Sequence, residues 1–107
     1  MKELVKIVVT VPEPQAEAVR QAVGKAGGGT IGNYTYCSFS QKGIGRFLPG
    51  QDANPTIGAI GKPEEVSEER IEVTCEKSKV KQVANAIREA HPYEEMVLDI
   101  YPLISLD

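Results

Sequence analysis

The chain has 107 residues, 15 acidic and 12 basic side chains and a formal net charge of −3. This length suits one domain, 1–107, with a core that needs no metal or disulfide staple, and the charge balance gives no general attraction for nucleic acid or anionic lipid. One His and two Cys exclude a self-contained histidine-rich metal site and a disulfide scaffold. From Leu4 to Val11, β-branched residues alternate, with Val5, Ile7, Val9 and Val11 on one face. That pattern predicts a strand. Pro12-Glu13-Pro14 breaks it, and Pro14 suits the start of a helix. Val19, Ala22, Val23 and Ala26 then repeat at helical spacing until Gly27-Gly28-Gly29. A glycine run that follows a helix is in the wrong order for a phosphate loop.

Thr30 to Phe39, rich in Tyr and Thr, predicts a second strand. Gln41-Lys42-Gly43 reads as a turn, with Ile44 to Leu48 returning as a short ribbon. Pro49 to Lys62 reads as a long loop punctuated by Pro and Gly. Long irregular connections in small domains carry function or partner contacts, so residues 40–62 draw attention. Arg70 to Glu76 alternates, with Ile71, Val73 and Cys75 on one side. Ser78 to His91 shows a second amphipathic helix, stopped by Pro92. Glu95 to Leu103 predicts the last strand.

The fold class implied is α+β, a ferredoxin-like βαββαβ plan. It has an antiparallel sheet, both helices on one face, and an extra ribbon and loop between strands 2 and 3. The helix-free face would carry Val8, Thr74, Val97 and Tyr101, with Tyr34 and Tyr36 as further candidates. That surface is too apolar for water and predicts a homo-oligomer. Single apolar side chains scattered on a surface are also ordinary. The chain shows no leader-like start and no run of about 20 apolar residues. A cytoplasmic protein with reduced thiols is expected, without membrane or nucleic-acid partners.

The densest polar cluster is His91-Pro92-Tyr93-Glu94-Glu95. His91 with Glu94 or Glu95, and Cys37 from another segment, are candidate ligand contacts, and His91 with Glu94 a candidate metal pair. Zinc sites want three or four protein ligands, so a structural His91 capping its helix is the competing reading. Tyr93 either shapes the turn or joins the ligand contacts. Arg46, within Gly43-Ile44-Gly45-Arg46-Phe47, is a candidate anion contact. That G-x-G lacks a third Gly and a following helix, so it is no dinucleotide fingerprint. Ser38, Ser40 and Cys37 have no triad context, and no catalytic residue is assigned.

Several stretches together resemble the insert domain of the Nif-three-like (YqfO-like) family. They are Gly32-Asn33-Tyr34, Cys37-Ser38-Phe39, Gly43-Ile44-Gly45-Arg46-Phe47-Leu48-Pro49, Asn54-Pro55-Thr56-Ile57-Gly58, Glu69-Arg70-Ile71-Glu72 and Ala90-His91-Pro92-Tyr93-Glu94-Glu95. The resemblance runs over nearly the whole chain and departs at Ile44, between the two glycines. It implies a CutA- and PII-like fold of a kind that forms trimers. Longer family members carry flanking halves with a histidine-rich dinuclear metal site, and some are named as GTP cyclohydrolase homologues. The single His91 matches the insert motif and not the metal motif, so the hydrolase label does not transfer. What the resemblance implies is a free-standing, oligomeric insert domain, and the mixed-apolar second face with a long loop and no catalytic constellation points to a non-enzymatic regulatory or assembly role without a cofactor. It would self-associate, with a trimer favoured, and present the 40–62 loop to a protein partner or ligand. The rival is a small-molecule or divalent-metal sensor; a metal-dependent hydrolase ranks last.

Overall fold

A computed structural model describes residues 2–106. The elements are β1 (Leu4–Pro12), α1 (Ala16–Lys25), β2 (Phe39–Phe47), β3 (Glu64–Glu76), α2 (Val80–Ala90) and β4 (Leu98–Pro102), with short 3-10 turns leading into both helices. The four strands form one antiparallel sheet in the order β2-β3-β1-β4. This is the ferredoxin-like plan that the order of elements predicts.

Register explains which side chains enter the core. Val5, Ile7 and Val9 of β1 stand opposite Cys75, Val73 and Ile71 of β3. On the other side, Ile7 and Val9 stand opposite Ile100 and Leu98 of β4. Opposed residues share a face. That face packs on Val19 and Val23 of α1 and on Val83 and Ile87 of α2, closing one core. Arg20 fastens α1 to the sheet through Glu69 at 2.6 Å and Ser40 at 3.1 Å. Cys75 lies inside this core, where burial raises its thiol pKa and keeps it unreactive.

Residues 30–47 depart from the sequence reading. Thr30 to Ser38 is not a strand. Ile31 and Tyr34 exchange two backbone hydrogen bonds across Gly32-Asn33, a tight turn of their own. Tyr36 takes a left-handed backbone (φ 59°), and its ring lies against Gly24 of α1. Tyr36 therefore packs on the helix layer and not on the helix-free face. The strand begins at Phe39, where pairing with β3 starts, and runs unbroken through Gln41-Lys42-Gly43. The expected turn is extended because Arg70, Glu69 and Glu68 of β3 stand opposite those residues. β3 itself starts at Glu64, six residues before the alternating stretch. β4 is shorter than expected and starts at Leu98.

The extra ribbon is thus the continuation of β2 and β3 past the end of β1. Pro12 stands opposite Glu68 in the final pair between β1 and β3, whereas β2 keeps pairing with β3 as far as Phe47 opposite Glu64. The result is a two-stranded arm. It stretches the molecule to 49 × 22 × 21 Å, with a radius of gyration of 14.9 Å. A compact chain of this length has about 13 Å.

Candidate functional site

The arm, the loop after it and the segment after α2 meet over the helix-free face. On that face β2 presents Gln41, Gly43, Gly45 and Phe47, opposite Arg70, Glu68, Val66 and Glu64. The two glycines leave the face without side chains between Gln41 and Phe47. Loop residues 48–57 cross in front of this gap, and Tyr93 to Glu95 close its other side. Between them lies a cavity of about 610 Å³, within the usual range for small-molecule sites.

The walls are held by a few polar contacts. The Asn54 amide donates to Glu94 Oε1 at 2.7 Å, and the Thr56 hydroxyl donates to the Pro92 carbonyl at 2.7 Å. The long loop is thereby fastened to the turn after α2. Replacing Glu94 by Ala is expected to leave global stability within about 1 kcal/mol, because the contact is exposed. It should raise amide exchange at Asn54 by several-fold, read by hydrogen-exchange NMR.

Glu68 forms the floor. It is only 7% exposed, and its Oε2 accepts the Tyr93 hydroxyl at 2.9 Å. Burial first, then the hydrogen bond to Glu68, pushes the Tyr93 hydroxyl pKa well above its ordinary value. The Tyr93 ring also meets Phe47 edge-on, with centroids 5.7 Å apart. Gly45 leaves room for this arrangement: a Cβ there would stand 2.2 Å from Glu68 Oε1 and displace the carboxylate. The G-x-G motif makes room for a carboxylate, not for a pyrophosphate.

The sequence-predicted residues separate into two groups. Arg46, Tyr93, Glu94 and Glu95 line the cavity. Arg46 is exposed and pairs with Glu65 at 3.4 Å. His91 and Cys37 are not among the lining residues. His91 is buried behind Tyr93, with both ring nitrogens engaged. Nδ1 accepts the Tyr93 amide at 3.1 Å, so Nε2 carries the proton and donates to the Thr10 carbonyl at 2.7 Å. This imidazole ties the end of α2 to the end of β1. Cys37 lies beside the glycine turn, its amide donating to the Gly29 carbonyl at 2.9 Å. Among the described residues no group of three His, Cys, Asp or Glu is placed to hold a metal ion.

Glu68 escaped the sequence reading. It stands in a run of glutamates before the alternating stretch, where a solvated charge is the ordinary expectation. No local signal separates it from Glu64 or Glu65; only the two glycines across the ladder and Tyr93 bury it.

No family model matches the chain. The GTP cyclohydrolase 1 type 2 homolog of Bacillus subtilis is 49% identical over 100 residues, 94% of this chain and 27% of that protein. The crystal structure of a Bacillus cereus protein related to NIF3 superposes with a TM-score of 0.85 at 44% identity, covering 97% of this chain and 26% of that one. The chain is a homologue of one segment of the NIF3-related proteins. It spans about a quarter of the length of the relatives it matches. CutA1 from Shewanella sp. SIB1 shares the fold alone, with a TM-score of 0.70 at 16% identity over 97% of this chain and 84% of that one. The NIF3-related segment thus has the CutA/PII type of ferredoxin-like architecture.

Proposed function

We propose that this NIF3-related segment is a non-enzymatic regulatory or assembly module. It self-associates through its helix-free sheet face and presents the 40–62 segment, whose first residues belong to β2, to a partner or ligand. The supporting observation is the unpartnered face. Phe39, Val97 and Tyr101 lie there at 60%, 60% and 48% exposure, and the sheet ends in two open edges, β2 and β4. Open edges and apolar faces of this kind are ordinarily covered. The two-stranded arm is marginal on its own and gains from packing on a neighbour. A trimer accords with the resemblance to CutA and PII proteins. Among the described residues no helix is long and apolar enough to cross a membrane.

Sedimentation equilibrium tests the assembly. The expected mass is about three times the chain mass of 11.6 kDa at about 10 μM. Tyr101→Glu should shift it to the monomer, because it sets a charge in a face the oligomer would desolvate. A wild-type monomer at about 100 μM overturns the reading. A small-molecule sensor is the second reading, favoured by the cavity between arm and loop.

A further inference from the structure

The cavity has a built polar anchor as well as apolar walls. Glu68 is more than nine-tenths buried, and among the described residues only its Oε2 has a partner, the Tyr93 hydroxyl. No buried side-chain oxygen among the described residues is left unsatisfied and sealed from solvent. Glu68 Oε1, which has no donor among the described residues, is therefore open to the cavity that Glu68 lines. The same cavity is lined by Phe47, Leu48, Ile57 and Val97. The cations at the rim are committed elsewhere: Arg46 to Glu65, and Arg70 to Glu72. Lys42 also lines the cavity, without an ion pair among the described residues, from its place opposite Glu69. Glu94 and Glu95 add two further carboxylates to the lining, neither of them paired with a cation among the described residues, so three carboxylates stand against the one unpaired lysine. The free electrostatic capacity of the cavity is negative, and most of its surface is apolar.

We infer that this cavity binds a small organic cation: an apolar body with a protonated amine head, the head donating to Glu68 Oε1. A buried carboxylate with one oxygen satisfied by a tyrosine and the other open to an apolar cavity lacks one charge-assisted donor. An ammonium supplies that donor. A neutral alcohol of the same shape fills the same walls and leaves the charge uncompensated. A carboxylate ligand meets Glu68 as a like charge. This deepens the ligand half of the proposed function and rests on it only for the loop that forms one wall. Sedimentation tests assembly separately, so either can fail alone.

The glycines that open the cavity provide the means to close it. A Cβ on Gly45 strikes Glu68, but a Cβ on Gly43 meets nothing within 4 Å. Gly43→Val therefore fills the space from the floor strand with a β-branched residue that suits a strand. The experiment titrates n-hexylamine, n-hexanol and hexanoate into the wild-type chain at neutral pH, read by calorimetry and by amide shifts. Hexylamine should bind at least about tenfold more tightly than hexanol, and hexanoate more weakly still. Shifts should centre on Gly43, Gly45, Glu68 and Tyr93. Glu68→Gln should abolish the preference for the amine. Gly43→Val should weaken hexylamine by about tenfold or more without lowering the denaturation midpoint. If Glu68→Gln does not fold, Gly43→Val and the three-ligand comparison on wild type still decide. Equal binding of hexylamine and hexanol overturns the inference, as does stronger binding of hexanoate. So do shifts confined to another surface, or no binding of hexylamine up to about 10 mM.

Discussion

Gly29→Ala will lower the free energy of unfolding by about 2–4 kcal/mol, seen as a drop in denaturation midpoint at unchanged slope. Two costs add. Gly29 has φ +79°, a backbone region that an L side chain enters only with strain. A Cβ there would also lie 2.4 Å from the Cys37 carbonyl oxygen and 2.9 Å from its nitrogen, both backbone atoms that cannot swing aside. The position matters because Gly29 extends the sheet. Pairing between β2 and β3 ends at Phe39 opposite Glu72. Two residues further along β3, the Thr74 carbonyl accepts the Gly29 amide at 2.9 Å, and the Gly29 carbonyl accepts the Cys37 amide at 2.9 Å. The turn after α1 thus continues the ladder that β2 abandons. Gly50→Ala is the control: a Cβ there meets nothing within 4 Å, and no positive φ opposes it. It should change stability by no more than about 0.5 kcal/mol.

Tyr93→Phe should cost about 1.5–3 kcal/mol at neutral pH, because it removes the one protein donor to the Glu68 carboxylate and leaves a buried charge short of partners. The alkaline limb carries an independent signature. The folded protein raises the Tyr93 pKa above the ordinary 10.0, so the folded state holds its proton where the unfolded chain releases it. Between those two values the unfolded state binds fewer protons, and stability falls as pH rises. The contribution is fully present below about pH 10 and is lost as pH climbs toward the folded-state pKa. The gap between wild type and Tyr93→Phe should therefore narrow above about pH 10. A parallel pair of stability curves from pH 7 to 11 would show that the hydroxyl does not feel Glu68. Backbone contacts of His91 are untouched by this substitution, so the turn after α2 should keep its shape.

The two predictions mark the region where sequence reading and structure part. Residues 30–36 carry the side chains that strands favour, yet they form a tight turn and a left-handed corner. β-Propensity describes how a side chain fits a pleated surface, and the strand next to β3 is supplied by residues 39–47 instead. Gln41-Lys42-Gly43 carries turn-like residues but is held extended by a ladder on its β3 side. The convergence of Tyr93, Glu94 and the long loop is likewise a matter of topology. Residues 40 apart in sequence meet because the arm returns over the end of β1. His91 and Cys37, grouped with them on chemical type alone, are drawn away by backbone hydrogen bonds.

The sequence by itself determined the parts whose partners are generic. The alternation of Val5, Ile7, Val9 and Val11, the two amphipathic helices, the glycine stop and the βαββαβ order follow from periods of 2 and 3.6 against a single core. These need only an apolar layer to face, and any such layer serves. Tertiary structure alone decided what depends on a particular neighbour. It buried Glu68 among the glutamates, turned Gly43 and Gly45 into the opening of a cavity, fastened the loop to Glu94, and assigned both nitrogens of His91 to the backbone. A carboxylate costs too much to bury without a specific donor and a specific space. Both come here from segments far along the chain, and only the folded register sets them side by side.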